Sequence, residues 1–460
     1  MNRKNNIEKL FVNFKNPDNQ IYKYNIRRNK VLVGPQKGSM WKRILNSEYF
    51  RNTLTLVSGN TIAQIIPLLA EPFLTRLFPP EDFGLLALFI SISSLFAVIA
   101  TGRYELAIML PSKEKDAMNL VGLSFVVTMI ITLFSLLVVW VFNNPICWLL
   151  RSPDISGYLY FVPLVVLFSG LAQTLNYWFS RKKNFRKISI ARIVQSSASA
   201  GTGIGAGFLK MGTFGLISAQ MLGHIFSGLY FLLRFLKVDS DKLKHISPGE
   251  MKAMASKYAE FPRINSLYIF ADTAQYSGIS FLIAYFFSNV LLGFYSRTFR
   301  ILTVPLSFIG SAISHVFYQK ASVIFRDDGN LRKFSLQTLL GTALVGLPIF
   351  VIIIIFGPDL FAFVLGQPWR PAGLYAQILS PWIFMKFITQ PLSQIPMIVD
   401  KQKKMFLFSF ISIILIFGSL IYGGLIVKNL EVGFYLVSIS QFIYSLVLIY
   451  WLLHITGKRV

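Results

Sequence analysis

Twelve apolar stretches of about 20 residues recur along this sequence, each long enough to cross a ~30 Å hydrocarbon core as a helix. They cover 54–74, 83–106, 119–142, 157–179, 189–208 and 213–233, then 264–287, 292–319, 334–356, 373–399, 405–426 and 431–453. The runs are continuous and lack the alternation of ~10-residue segments that marks a transmembrane barrel, so the spans are helical. Composition agrees: 54 % of residues are apolar, 14 % are charged and the mean hydropathy is +0.57. Soluble domains carry about 25 % charged residues. A water-soluble fold could not hide this much apolar surface, and an all-α integral membrane protein is expected.

The net charge of +25 would suggest nucleic-acid binding in a soluble chain. Here the positions of the 45 Lys and Arg residues decide otherwise. With both termini cytoplasmic, 35 of them lie before span 1, in the cytoplasmic loops or after span 12. The opposite loops hold five, Arg76, Arg151, Lys210, Arg370 and Lys428. The remaining five, Arg103, Arg192, Arg297, Arg300 and Lys386, fall inside spans. This is the positive-inside pattern, and it leaves no charge that calls for nucleic acid. Residues 1–52 read as a basic cytoplasmic extension without the apolar core of a signal peptide, with an interfacial helix at 40–50. A single cysteine, Cys147, excludes an intramolecular disulfide.

The sequence also repeats itself. Phe78-Pro79-Pro80-Glu81-Asp82-Phe83-Gly84 follows span 1, and Phe287-Ser288-Asn289-Val290-Leu291-Leu292-Gly293 follows span 7, 209 residues later. Phe214-Gly215 and Val432-Gly433 open spans 6 and 12 in the same way. Two six-helix lobes around a central cavity follow, at 53–233 and 264–460, joined by a cytoplasmic linker at 234–263. A parallel duplication of this kind is a common transporter plan, with the pathway between the halves. There is no phosphate-binding G-x-x-x-x-G-K-[ST] loop, no metal-ligand spacing and no long outer loop to hold catalytic carboxylates, so neither an enzyme nor a cofactor or metal site is expected. The run Gly201-Thr202-Gly203-Ile204-Gly205-Ala206-Gly207 lies inside span 5, where small residues permit close helix packing.

A charge inside a span costs about 2.5–3.5 kcal/mol on insertion scales and therefore marks a cavity or a partner. Arg297 and Arg300 share one face of span 8, roughly 6 and 10 Å below Gly293, and repel each other unless an anion lies between the halves. A diphosphate would suit two guanidinium groups. Lys386 lies in span 10 among Pro381, Pro391 and Pro396, as expected of a broken, cavity-lining helix. Asp272 in span 7 is a coupling or ion-pair candidate. Glu71 near the outer end of span 1 is another, with Arg76 as its nearest partner in sequence. Arg103 and Glu105 mark the inner end of span 2. His224 and His315 read as buried, satisfied side chains.

The stretch Leu54-Thr55-Leu56-Val57-Ser58-Gly59-Asn60-Thr61-Ile62-Ala63-Gln64, then Leu74-Thr75-Arg76-Leu77-Phe78, Pro80-Glu81-Asp82-Phe83-Gly84 and Gly102-Arg103-Tyr104-Glu105-Leu106-Ala107-Ile108, resembles the polysaccharide repeat-unit flippases of the multidrug/oligosaccharidyl-lipid/polysaccharide exporter superfamily. The resemblance covers about residues 45–455. It implies a V-shaped pair of lobes that carries undecaprenyl-diphosphate-linked oligosaccharide across a bacterial inner membrane by alternating access, coupled to an ion gradient. It implies that Arg297 or Arg300 meets the diphosphate, with Arg76 and Arg103 as further cavity cations; Lys386 joins them by its place in the broken span 10. Membrane lipids, a polysaccharide polymerase and a chain-length regulator are the partners that go with it. A multidrug or metabolite/cation antiporter of the same superfamily is the alternative, and a membrane glycosyltransferase or polymerase the one after that.

Overall fold

A computed structural model describes residues 48–327 and 329–457, with side chains from Ser58 onward. Residues 1–47, and with them nearly all of the expected interfacial helix and basic extension, lie outside the described residues. Among the described residues there are twelve helices of 18 residues or more, one on each apolar run. They are α1 (Glu48–Leu77), α2 (Pro80–Ala97), α3 (Glu114–Leu149), α4 (Val162–Arg181), α5 (Phe185–Phe208) and α6 (Gly212–Asp239). The second set is α7 (Ser266–Phe286), α8 (Asn289–Arg326), α9 (Leu331–Leu365), α10 (Arg370–Thr389), α11 (Gln402–Tyr422) and α12 (Leu430–Ile455).

Eight of these helical segments are long and apolar enough to cross a membrane by length and composition. The other four, α1, α5, α7 and α10, carry Ser, Thr, Gln and ionisable residues along their lengths, which lowers their hydropathy. Large apolar side chains such as Leu133, Trp140, Leu344 and Ile355 are exposed on α3 and α9, as lipid-facing surface must be.

Two spans are shorter than the sequence suggests. Helix α2 ends at Ala97, and the chain passes through Gly102 (φ 59°) and Arg103 (φ 61°) before the short helix Tyr104–Ala107. Two successive left-handed residues cannot continue a right-handed helix. Helix α10 ends at Thr389, and the rest of its run is broken into short pieces at Pro391 and Pro396, as the prolines require. The linker after α6 is a docked element. Helix Pro248–Lys257 is capped by Ser247 Oγ, which accepts the Glu250 N–H. Asn119 at the start of α3 donates to the His245 carbonyl (3.0 Å) and to Glu250 (2.8 Å), and accepts from the Ser247 N–H.

Each repeated glycine meets the other copy of the repeat. Helix α2 packs against both α7 and α8. A Cβ on Gly84 would lie 1.8 Å from the Asn289 carbonyl oxygen, and a Cβ on Gly293 would lie 1.8 Å from that of Pro80. Asn289 stands where the second copy repeats Pro80, so the contact is reciprocal, the pattern a two-fold axis produces. Within the glycine run of α5, Gly203 and Gly207 face Leu74 and Leu77 at van der Waals distance or closer, while Gly201 and Gly205 face open space.

Gly84→Ala or Gly293→Ala should therefore force α2 and α8 apart and lower stability by about 1–3 kcal/mol, as overpacking does. Thermal unfolding in detergent checks this, with Gly201→Ala and Gly205→Ala melting as the parent protein does.

Candidate functional site

Helix α1 carries Pro67 and Pro72 on either side of Glu71. Pro67 has no N–H to offer the Ala63 carbonyl, and Ser196 Oγ of α5 donates to that carbonyl instead. Helix α8, opened by the Ser288 cap, places Arg297 and Arg300 on one face three residues apart. The two helices bring these three side chains together. Arg297 Nη1 donates to Glu71 Oε1 at 3.0 Å and to Oε2 at 3.2 Å, and Arg300 Nε lies 3.1 Å from Oε1. Glu71 and Arg297 are buried, whereas 36 % of the Arg300 side chain is exposed. The Arg297 guanidinium lies 4.7 Å from the centre of the Phe83 ring, a cation–π contact from below.

A cavity of about 240 Å³ opens beside this cluster, walled by α1, α2, α5, α6 and α8. Its ionisable lining residues are Glu71, Arg297 and Arg300, giving one carboxylate against two guanidinium groups. The facing wall is polar and neutral, with Gln195, Ser196 and Ser199 of α5 and Gln220 of α6, interspersed with Ala200, Gly203 and Gly223. Small residues leave the room, and amides and hydroxyls supply hydrogen-bonding groups that suit a hydroxyl-rich ligand. Of these neutral residues, Gly203 belongs to the glycine run noted in sequence, and the amides and hydroxyls are not singled out there. The available signal was the polar patch Gln195-Ser196-Ser197 with Ser199 inside an otherwise apolar run. His224 stands behind them, half-buried, with Nδ1 3.0 Å from Ser169 Oγ and Nε2 3.3 Å from Gln220 Nε2.

The sequence-predicted residues divide accordingly. Arg297, Arg300 and Glu71 converge; the others do not join them. Arg76 does not pair with Glu71. Five residues along a helix turn the side chains about 140° apart, and Arg76 donates to the Pro72 and Phe363 carbonyls at 3.0 and 3.1 Å. Arg103 pairs locally with buried Glu105 at 3.2 Å, whose other oxygen accepts from Thr101. Lys386 is exposed and sits 5.4 Å from the ring centre of Tyr276 and 5.6 Å from that of Phe299. Asp272 is exposed, with no ion-pair partner among the described residues. His315 is exposed too, contrary to the expectation of a buried side chain. Arg192 donates to Asn60 at 2.6 Å, joining α5 to α1.

A larger cavity, about 670 Å³, lies at the helix ends around Asn144, Trp148, Arg151 and Tyr285. Its one cation, Arg151, is already engaged. It ends α3 in the left-handed conformation and lies 4.4 Å from the Tyr285 ring centre. The buried three-residue cluster is therefore the better candidate site.

Residues 73–373 match the family model described as "Polysaccharide biosynthesis protein". The chain belongs to this family. The succinoglycan biosynthesis transport protein ExoT of Rhizobium meliloti (strain 1021) is 24 % identical over 325 residues, covering 67 % of this chain. That match spans 62 % of the relative's own length. Among solved structures, an inward-facing multidrug resistance MATE transporter of the MOP superfamily superposes with a TM-score of 0.68 at 14 % identity, covering 87 % of this chain and 98 % of that one. The lipid II flippase MurJ superposes with a TM-score of 0.64 at 14 % identity, covering 86 % and 87 %. The multi-pass helical fold is thus that of the MATE and MurJ transporters.

Arg297→Ala strands buried Glu71 without its main partner and should cost about 3–5 kcal/mol. Arg76→Ala removes only exposed bonds to carbonyls and should cost less than about 1 kcal/mol. Melting of the two variants in the same detergent separates them.

Proposed function

We propose that this protein carries a diphosphate-linked oligosaccharide on an undecaprenyl lipid from the inner to the outer leaflet of a bacterial cytoplasmic membrane, by alternating access. The observation that carries the reading is the charge of the internal cavity. Its ionisable lining sums to a net positive charge, one carboxylate against two guanidinium groups. Guanidinium matches phosphate oxygens in geometry as well as charge. The neutral wall of Gln195, Ser199 and Gln220 suits sugar hydroxyls, and the polyprenyl tail stays in lipid.

Family membership supports the reading, as does a relative named for succinoglycan transport. So does the fold, shared with a lipid II flippase. Both termini are cytoplasmic in this proposal, as the basic-residue count requires. Polymerase and chain-length regulator would receive the product on the far side. A multidrug resistance transporter shares the fold, but a cationic cargo would meet repulsion here from Arg300, the more exposed of the two arginines at the cavity.

Arg300 is the residue to test, because Arg297 cannot be removed without stranding Glu71. Arg300→Ala should insert and fold normally, yet lower delivery of the lipid-linked sugar to the outer leaflet at least tenfold, with Arg300→Lys retaining part of it. Leaflet-resolved tracking of labelled lipid-linked oligosaccharide in vesicles measures this. Parent-level delivery by Arg300→Ala would sink the proposal.

A further inference from the structure

The pairing of Glu71 with the arginines is incomplete on the arginine side. Arg297 reaches both carboxylate oxygens through one nitrogen, Nη1, rather than in a two-nitrogen fork. Its Nε is buried and has no hydrogen-bond partner among the described residues. Arg300 offers Nε to the same Oε1 that already accepts from Arg297 and leaves the rest of its guanidinium open to the cavity. A single carboxylate is thus shared by two guanidinium groups whose remaining donors are unmet. An anion with more oxygens would satisfy them better, since bidentate charge-assisted bonds are the strong ones.

Glu71 also sits at a division within α1. On its inner side, α1 is tied to the first half of the chain: Asn60 accepts from Arg192, and the Ala63 carbonyl accepts from Ser196. On its outer side it is tied to the second half. Thr75 Oγ1 donates to the Leu365 carbonyl at 3.0 Å, Trp369 Nε1 donates to the Thr75 carbonyl at 2.8 Å, and Arg76 donates to the Phe363 carbonyl. Pro67 and Pro72 weaken the helix between the two sets.

We infer that Glu71 is an internal counter-ion that a diphosphate displaces from Arg297 and Arg300, and that its release loosens the outer segment of α1 against the second half of the chain, which then holds it through the Thr75, Trp369 and Arg76 hydrogen bonds. The inference rests on the cavity being the diphosphate site. Loading and opening are then one event: the ligand takes the arginines, the carboxylate is freed, and the strongest tie holding the outer segment of α1 to α8 is gone. The ligand shifts the equilibrium because it has this differential interaction with the two states. Glu71 is a positioning residue here; it does not touch the cargo.

The test uses the full chain in lipid nanodiscs with inorganic pyrophosphate as probe and sulfate as control. Glu71→Gln, which removes the competing charge and keeps the shape, should bind pyrophosphate at least tenfold tighter than the parent protein. Arg300→Gln should bind it at least tenfold more weakly. In the parent protein, pyrophosphate should speed amide exchange over residues 71–77 at least fivefold, and sulfate should not. This measurement stands if Glu71→Gln is not recovered folded. Equal or weaker binding by Glu71→Gln, or exchange over 71–77 that is unchanged or slowed by pyrophosphate, overturns the counter-ion role while Arg300→Gln still reports on the cavity. Parent protein that does not bind pyrophosphate, or Arg300→Gln that binds it as well as the parent does, overturns the cavity reading itself.

Discussion

The buried contact between Glu71 and Arg297 is the constraint around which the rest is arranged. Neither side chain could stand alone in a membrane interior, where an unpaired charge costs several kcal/mol and a lost partner about as much. The pair therefore fixes α1 against α8, 226 residues away in sequence. Its surroundings are built to suit. Phe83 lies under the guanidinium, Trp369 meets Phe83 edge-on at 5.1 Å and Phe294 at 5.8 Å, and the Trp369 indole N–H returns to the Thr75 carbonyl one turn from Glu71. The reciprocal approach of Gly84 and Gly293 brings α2 and α8 close enough for that cluster to close. Without the glycines the backbones could not reach this distance, and the ion pair would have to stretch or hydrate.

The basic residues that the sequence places on the outer side are accounted for by helix ends. Arg151, Lys210 and Lys428 all have positive φ, and each stands just past a helix, after α3, after α5 and after the π-helical turn that extends α11. The N–H groups of Arg151 and Ser152 return to the Trp148 and Cys147 carbonyls, and those of Lys210 and Met211 return to Gly207 and Ala206. A cation at the C-terminal end also complements the helix dipole. Arg370 pairs with Asp359 at 2.6 Å, and Arg76 caps two carbonyls. These five exceptions to the charge asymmetry have local structural work, as do Arg103 beside Glu105 and Arg192 beside Asn60, which leaves Arg297 and Arg300 as the arginines that local structure does not explain.

The helices were legible in sequence because continuous apolar runs of membrane-crossing length admit no other regular structure in lipid. The repeat was legible because a tight turn followed by glycine keeps its spacing. Even the common face of Arg297 and Arg300 follows from helical periodicity. The identity of their anion did not follow. Sequence proximity pairs Glu71 with Arg76, yet helical rotation sends the two side chains apart, and the real partner comes from the other half of the chain. The breaks in spans 2 and 10 show a similar contrast. Pro391 and Pro396 announce themselves, whereas α2 ends at Ala97, and the left-handed residues Gly102 and Arg103 turn the chain beyond it, at a place where apolarity continues. Gln195, Ser199 and Gln220 were missed for a third reason: amides and hydroxyls in a span usually bond within their own helix or to a neighbour, and only their convergence on one cavity gives them a role.

The weakness of the net charge in that cavity is itself informative. For the proposed diphosphate cargo, two guanidinium groups without a counter-ion would hold it tightly, and a carrier gains nothing from cargo it cannot release. A carboxylate already in place lowers the affinity of the empty site by the energy of the bonds that must be broken to load it. In the proposed cycle it also gives the arginines a partner once the cargo has gone, so the empty protein would return without carrying bare charge through the hydrocarbon region. On this view Glu71 and Arg297 form one unit that cannot be assigned separately to binding or to stability, because the bond that stabilises the empty state is the one that binding replaces.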